Sequence, residues 1–156
     1  MNKKNILLIF GFGYTAKFMC QKFSKKNWEV FCTTRFKEKA KEIKSLNATP
    51  VFFDDEEKIE SILSKNSYIL STAPPDNGKD PVIENYGYLF KRNSERIRWA
   101  GYLSTTSVYG DKKGGWVTED TVLEPKLDRS ISRVAAEKSW LKLGGNYSIK
   151  TMIFRL

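Results

Sequence analysis

The stretch that decides the fold is "NILLIFGFGYTA" at residues 5–16. Its first half, 5–10, is an almost continuous apolar run that ends in glycine, which is the pattern of a strand buried on both faces. The residues that follow the glycines, 14–26, space their apolar side chains like one face of an amphipathic helix. The sequence therefore predicts a buried strand, a glycine-rich turn and a helix in direct succession.

The rest of the chain repeats this alternation of strand and helix. Further strands are predicted at 28–34, 49–53, 67–73, within 100–110 and at 149–156, and further helices at 37–46, 55–65, within 82–98 and at 128–143. Such a rhythm is typical of a parallel sheet that is covered by helices on both faces and joined by right-handed crossovers. We therefore expect a single α/β domain over residues 1–156, a doubly wound parallel sheet with strand order 3-2-1-4-5-6.

The glycine turn has the spacing Gly11-x-Gly13-x-x-Ala16. Directly after a strand and at the start of a helix, this spacing indicates a dinucleotide-binding turn. Gly11 permits the tight turn, Gly13 lets a pyrophosphate approach the backbone, and the small Ala16 permits close packing of helix on strand. The backbone amides at Tyr14 and Thr15 would face the phosphates, whose charge the helix dipole favours. The alternative is a tight strand–helix turn without a ligand.

The end of the second strand bears on which dinucleotide is bound. An acidic residue about 20 positions past the glycines usually binds the ribose 2′-hydroxyl of NAD. This sequence has Thr33, Thr34 and Arg35 there, so no carboxylate repels a 2′-phosphate and Arg35 can pair with one. NADP is therefore predicted in preference to NAD, unless Arg35 is an ordinary solvated charge. After the third strand, Asp54 either binds the adenine amino group or N-caps the next helix.

Two more segments leave strands beside the predicted cofactor. In the expected strand order, strands 1 and 4 are neighbours, and the crevice opens between their carboxyl ends. The segment "STAPPD", residues 71–76, leaves strand 4 there and would bring Ala73 and Pro74 along the cofactor. The segment "STTSVYGD", residues 104–111, leaves strand 5 next to it. Both segments are therefore candidate walls of a site.

Together, "GFGYTA", "STAPP" and "YLSTTSVYGD" resemble the extended short-chain dehydrogenase/reductases, also called the NAD-dependent epimerase/dehydratase superfamily. The run "GWVTEDTVLEP" at 115–125, followed by a helix with "AAE" at 135–137, extends this resemblance over essentially the whole chain. The segment "WAGYLSTTSVYGDKKGGWVTED" is similar in particular to an atypical subgroup, the YeeZ-like proteins. The resemblance implies the N-terminal Rossmann part of such a protein, ending before its substrate lobe.

The resemblance also implies roles for particular residues. Thr105 stands where the family has a Ser or Thr that binds the substrate oxygen. Counting back from Glu137, the acidic residue that the family has after its catalytic Tyr-x-x-x-Lys, brings Arg133 to the Lys position and Arg129 to the Tyr position. A guanidinium stays protonated near neutral pH and cannot act as the general acid, although Arg133 can still bind a ribose hydroxyl or a phosphate.

Each of these residues also has a possible structural role that involves no ligand. Thr105 can satisfy backbone groups at the strand end. The two arginines can form a solvated helix face with an Arg133–Glu137 ion pair. Tyr109 and Tyr102, the nearest other phenols in the sequence, are candidate substitutes for the missing acid, although a tyrosine in such a turn usually packs or binds backbone.

Composition excludes several other classes. The net charge is +9, but the lysines are scattered along the chain, which favours a charged surface over a nucleic-acid-binding stripe. The absence of His excludes Ser-His-Asp triads and imidazole metal sites, and no metal site is expected. Cys20 and Cys32 lack metal-ligand spacing and are predicted to be small buried residues in a reducing cytosol. The apolar run near the N-terminus is too short for a signal sequence or a membrane span, so we expect a cytoplasmic protein.

Two functions fit this sequence. One is an NADP-dependent oxidoreductase or epimerase that acts on an unidentified small molecule. The other is a non-catalytic module that binds or senses NADP(H), because the Tyr–Lys pair is missing. A missing substrate lobe would leave apolar surface at the carboxyl edge of the sheet, which would favour a homodimer.

Overall fold

The computed structural model describes residues 4–25 and 27–156. Its centre is a six-stranded parallel sheet with the order β3-β2-β1-β4-β5-β6. The strands are β1 (Asn5–Phe10), β2 (Trp28–Thr34), β3 (Thr49–Phe52), β4 (Ser67–Ser71), β5 (Ile97–Ser104) and β6 (Thr151–Arg155). The predicted doubly wound α/β class and the strand order 3-2-1-4-5-6 are confirmed.

Five helices connect the strands. They are α1 (Tyr14–Phe23), α2 (Lys37–Ser45), α3 (Glu56–Leu63), α4 (Pro81–Arg92) and α5 (Asp128–Tyr147), with short 3-10 turns at Ser94–Arg96 and Thr106–Tyr109. The predicted bounds of the first two strands agree with the structure. The first helix ends at Phe23 rather than 26, and residue 26 itself lies outside the described residues.

Specific contacts set the ends of two other helices. The helix predicted within 82–98 ends at Arg92, because the Asn93 side chain binds the Leu89 carbonyl and a 3-10 turn leads directly into β5. Helix α5 runs on through Gly144 to Tyr147 instead of ending at 143. A Cβ on Gly144 would collide with Thr151 in β6, so this glycine serves close helix–strand packing rather than helix termination.

The strands divide the core into two layers. Alternate side chains of β1 point to opposite faces, as the period of a strand requires. Ile6, Leu8 and Phe10 pack in one cluster with α3, α4 and α5, whereas Leu7 and Ile9 pack in a second cluster with α1 and α2. Ala16 and both free cysteines, Cys20 and Cys32, are fully buried in this second cluster, as predicted.

The second face is covered unevenly. Helices α1 and α2 lie over its β1–β2–β3 side. On the β5–β6 side, Trp99 and Leu103 are only partly buried, and Met152 and Phe154 of the edge strand are exposed. This part of the sheet therefore presents apolar side chains at the surface. Among the described residues, none of the helices has the length and apolar character that crossing a bilayer requires.

Candidate functional site

The glycine turn is fixed by the strands on either side of it. Gly11 has φ +92°, and a Cβ there would lie 2.9 Å from Oγ1 of Thr72, so only glycine fits this position without strain. The amide of Gly11 donates to Oγ1 of Thr33 at 2.9 Å, and Sγ of Cys32 donates to the Gly11 carbonyl at 3.4 Å. Residues at the end of β2 thus hold both peptide groups of the turn.

Gly13 differs from Gly11 in what surrounds it. It is the N-cap of α1 with extended backbone (φ −93°), and a Cβ built on it would meet nothing within 4 Å. No side chain caps the helix, so the first amides of α1, from Tyr14 onward, keep their donors available. The exposed side chain of Tyr14 contributes no cap, and the backbone supplies the donors. An uncapped helix start beside open space suits an anionic group.

A first crevice of about 500 Å³ lies over the carboxyl ends of β1, β2 and β4. The structure brings six of the predicted cofactor residues together in its walls: Gly11, Gly13, Thr34, Arg35, Ala73 and Pro74. Four others lie outside its lining. Tyr14 and Thr15 follow the turn, Ala16 is buried under α1, and Asp54 is exposed beyond β3.

Two cations line this crevice, Arg35 directly after β2 and Lys39 in α2, where the Lys39 ammonium also lies 3.6 Å from a carboxylate oxygen of Glu42. Arg35 is exposed, and its guanidinium lies 5.0 Å from the ring centre of Phe53. Lys39, near the start of α2, lines the same crevice. The sequence analysis did not predict this residue, because Lys39 belongs to no motif and the only signal is its position four residues after Arg35. Of the described lining residues, Asp76, on the β4 side, is the sole carboxylate. The wall next to Arg35 is therefore positively charged.

The residue that faces the crevice after β3 is Phe53. Its ring packs against Tyr86 at 5.3 Å between centroids, and the Tyr86 hydroxyl donates to the Phe53 carbonyl. Burial raises the pKa of Tyr86 to about 12, so this hydroxyl stays protonated as a donor. The N-cap of α3 is Asp55, whose carboxylate accepts from the Lys58 amide at 3.0 Å, so Asp54 is not the cap. Its contact with adenine stays a prediction.

A second crevice of about 800 Å³ adjoins the first and shares Pro74 and Pro75 with it. All three predicted catalytic residues, Thr105, Arg129 and Arg133, line it. The strand order explains this arrangement, because the end of β5 and the start of α5 meet beside the end of β4. The structure therefore brings Arg129 and Arg133 next to the first crevice.

The two arginines are held differently. Nη1 of Arg133 donates to the Leu103 carbonyl at 2.6 Å and to the Tyr102 hydroxyl at 3.2 Å, whereas Arg129 is exposed. The expected Arg133–Glu137 ion pair is wrong. Glu137 is buried, accepts from the Ser104 hydroxyl, and pairs with Arg155 at the end of β6, with 2.9 Å between Nη2 and Oε2.

Hydroxyl groups line the floor of the second crevice. Oγ1 of Thr105 accepts from the Ser107 amide at 3.3 Å and so caps the 3-10 turn that follows β5. The Ser107 hydroxyl lies 2.8 Å from that of Ser130 in α5. Thr105 thus satisfies a backbone group at the strand end, which is the alternative to substrate binding. In this bond the Thr105 oxygen is the acceptor, so the hydroxyl proton of Thr105 can still be donated.

The two substitute phenols lie away from this crevice. Tyr102 is fully buried, burial raises its pKa to about 12, and its oxygen accepts from Arg133. The hydroxyl of Tyr109 accepts from Nη1 of Arg155, at the end of β6, at 2.9 Å. Neither residue belongs to the lining of the second crevice. Among the described lining residues, none is a phenol that could replace the family's tyrosine.

The sheet order and the glycine turn define the chain as a Rossmann-type domain. No protein-family model matches it. Its structural neighbours are NAD-dependent epimerase/dehydratase and short-chain dehydrogenase/reductase proteins, and it has the fold of their N-terminal Rossmann part. The resemblance to these proteins that the sequence analysis stated is therefore confirmed.

Three solved structures illustrate this similarity. A functionally unknown conserved protein from Silicibacter pomeroyi is 34% identical, with a TM-score of 0.87 over 98% of this chain and 52% of its own. A putative epimerase from Burkholderia cenocepacia is 16% identical, with a TM-score of 0.78 over 99% of this chain and 55% of its own. UDP-glucuronic acid 4-epimerase from Bacillus cereus, solved with UDP-glucuronic acid and NAD, is 22% identical, with a TM-score of 0.70 over 96% and 55%. The chain thus spans about half the length of these proteins.

Proposed function

We propose that this chain binds a nicotinamide dinucleotide in the first crevice and forms the cofactor-binding part of an oxidoreductase or epimerase that acts on a small molecule. The observation that carries this proposal is the open helix start at Gly13 beside a tight Gly11 turn, since this pair leaves both room and donors for a pyrophosphate. The Bacillus cereus epimerase, whose fold this chain shares, was solved with NAD.

The dinucleotide we propose is NADP rather than NAD. Arg35 and Lys39 line the crevice at the end of β2, where an NAD-specific site has a carboxylate. A 2′-phosphate carries charge that a guanidinium and an ammonium can pair with, whereas a 2′-hydroxyl gains little from them. Free buried thiols at Cys20 and Cys32 fit a reducing compartment, and we propose a cytoplasmic location.

The test is a titration with NADPH and with NADH, followed by nicotinamide fluorescence. We expect NADPH to bind at least about tenfold more tightly, since one charge-assisted hydrogen bond contributes roughly 1.5–3 kcal/mol. Arg35→Gln should reduce this preference. Arg96→Gln, which removes an equal charge from an exposed position at the amino end of β5, should not. Absence of saturable binding of either nucleotide up to about 1 mM would exclude the function.

A second candidate function is a module that binds NADP(H) without turnover. It is favoured by the second crevice, whose described lining has arginines at the Tyr and Lys positions and no phenol. When bound, the nicotinamide would supply or accept a hydride, and the catalytic alternative needs Thr105 to orient a carbonyl beside it. The carbonyl oxygen also needs a proton, which an arginine cannot supply near neutral pH. Substrate-dependent oxidation of NADPH that is lost in Thr105→Ala would refute this second candidate.

A further inference from the structure

We propose that the second crevice binds an oxyanion, a carboxylate or phosphate group of the substrate, through Arg129 and Arg133. The proposal rests on the function proposed above, because the crevice shares the Pro74–Pro75 wall with the cofactor site. A group held there would lie next to the nicotinamide end of a bound dinucleotide. The site would thus select acidic small molecules.

The cations of the second crevice outnumber the carboxylates of its described lining. Arg129 and Arg133 lie one helical turn apart on the same face of α5, and like charges at this spacing repel. Among residues 4–25 and 27–156, no carboxylate lies within ion-pair distance of either one, although Arg92 and Arg155 each have a glutamate partner. Asp128 is the single carboxylate of the described lining, and it is exposed. An anion between the two arginines would remove this repulsion.

The Arg133 side chain is already oriented for such a role. A single nitrogen, Nη1, makes both of its hydrogen bonds, to the Leu103 carbonyl and the Tyr102 hydroxyl. These bonds fix the plane of the guanidinium and leave the donors of Nε and Nη2 available. The planar fork of an arginine matches the geometry of carboxylate and phosphate oxygens. Arg133 therefore presents preorganised donors, and the exposed Arg129 supplies a second guanidinium one turn away on α5.

The other walls complete the recognition of an acceptor-rich group. The hydroxyl groups of the lining come from the 3-10 turn after β5, with Thr105 as its N-cap and Ser107 within it, and from Ser132 of α5. Pro74 and Pro75 have no amide protons, so on the β4 side any donor comes from Asn77 and Gly78 instead. Asp80, which is buried beneath α4, lies close enough to affect Arg133 electrostatically, but its oxygens already accept from Val82, Ile83 and Trp140. An anion in the crevice would thus find donors on the side of β5 and α5.

The test is isothermal titration calorimetry with three probes: inorganic phosphate, 2-oxobutanoate and the uncharged butanone. We expect at least one anion to bind saturably and butanone not to bind. Arg129→Gln should weaken binding of the anion about tenfold or more, because charge-assisted bonds of the fork are lost. Arg129→Lys, which keeps the charge without the fork, should recover part of this loss. The stronger anion identifies the group as phosphate or carboxylate.

Two matched controls separate this crevice from the cofactor site. Arg96→Gln removes the same charge elsewhere, and Arg35→Gln removes a cation from the first crevice, where phosphate could otherwise bind. Arg96→Gln should leave anion binding unchanged, whereas loss of anion binding in Arg35→Gln but not in Arg129→Gln would place the anion in the first crevice and overturn the inference. Equal loss in Arg129→Gln and Arg96→Gln, or no saturable anion binding, overturns the inference. NADPH titration of the same samples keeps the two proposals distinct, since retained NADPH binding without anion binding overturns only this one.

Discussion

At the scale of single residues, the two glycines of the turn do different work. Gly11 is required by the fold, because its positive φ and its contact with Thr72 leave no place for a side chain. Gly13 has ordinary extended backbone and free space around it. The fold alone therefore does not require glycine at Gly13. A ligand that approaches the backbone there would explain its presence.

This difference can be tested with two matched substitutions. Gly11→Ala should lower the free energy of unfolding by about 2 kcal/mol or more, because left-handed backbone and a steric clash both oppose the methyl group. Gly13→Ala should lower it by less than about 1 kcal/mol, the usual cost at an N-cap, while weakening NADPH binding strongly. Urea denaturation and nicotinamide fluorescence measure the two quantities. Unchanged NADPH affinity in Gly13→Ala would contradict this role of the glycine.

At the scale of elements, α4 starts from a buried carboxylate. Asp80 is its N-cap, with one oxygen accepting from the Val82 and Ile83 amides and the other from Nε1 of Trp140 in α5. Burial raises the pKa of Asp80, although these bonds and the charge of Arg133 act in the opposite direction. One side chain thus fixes both the start of α4 and its packing against α5.

The titration of Asp80 predicts a pH dependence of stability. Because its pKa is higher in the folded chain than in the unfolded chain, the folded state binds the extra proton, and this contribution to stability decreases as the pH rises through the interval between the two pKa values. Asp80→Asn removes this titration. Because both oxygens of Asp80 accept hydrogen bonds, the NH2 group of the asparagine would replace one acceptor and leave an N–H donor without a partner. We therefore expect the variant to be less stable than the wild type at pH 7 by about 1–3 kcal/mol.

The measurement is the free energy of unfolding from pH 3 to pH 8 for both proteins. The stability difference, wild type minus Asp80→Asn, should fall with rising pH across the carboxyl range and then level off. Subtracting the variant removes the contributions of other carboxyl groups, such as Glu42, whose pKa is lowered by Lys17. A difference that rises with pH would show that the hydrogen bonds outweigh burial at Asp80.

A second interelement contact sets the position of the edge strand. Arg155 of β6 binds Glu137 of α5 with two nitrogens and also donates to Tyr109 and to the Glu119 carbonyl. The pairing with Glu137 raises the pKa of Arg155, so its charge is permanent. Glu137, the carboxylate that the family resemblance places four residues after the Lys position, thus pairs with β6 instead of with Arg133. The guanidinium of Arg133 therefore has no ion pair with Glu137 and lines the second crevice.

At the scale of the whole molecule, the sheet order decides where a ligand can bind. Strands β1 and β4 are neighbours, but the segments that follow them lead to helices on opposite faces of the sheet. These segments therefore diverge at the carboxyl ends of the two strands and leave an open crevice between them. Four separate segments, after β1, β2, β3 and β4, meet there. A ligand in this crevice bridges segments that are distant in the sequence.

Binding should therefore stabilise the whole fold. At a concentration of NADPH about 100 times its dissociation constant, the free energy of unfolding should rise by about 2.7 kcal/mol, which corresponds to an increase in Tm of roughly 5–10 °C for a chain of this size. Differential scanning fluorimetry with and without NADPH measures the shift. Arg35→Gln should give a smaller shift than Arg96→Gln at the same NADPH concentration, and an equal shift would remove Arg35 from the binding site.

The sequence by itself determined the alternation of strands and helices, the strand order, the glycine turn and the positions of Arg129 and Arg133. The elements depend on local patterns, namely the apolar runs of the strands and the period of the helices, and the strand order was inferred from their alternation with right-handed crossovers. The burial of Cys20 and Cys32 followed in the same way. The expected homodimer and the roles of Asp54 and Thr105 stay predictions.

Only the tertiary structure decided which side chains share a wall. Lys39 and Phe53 join Arg35, Glu137 pairs with Arg155 instead of Arg133, and Tyr102 and Tyr109 are held away from the second crevice. The partners in these contacts lie on different strands and helices, and no local spacing encodes the distance between them. The continuation of α5 beyond Gly144 could not be predicted for the same reason. Gly144 is required by its contact with Thr151, which lies on β6 and not on α5.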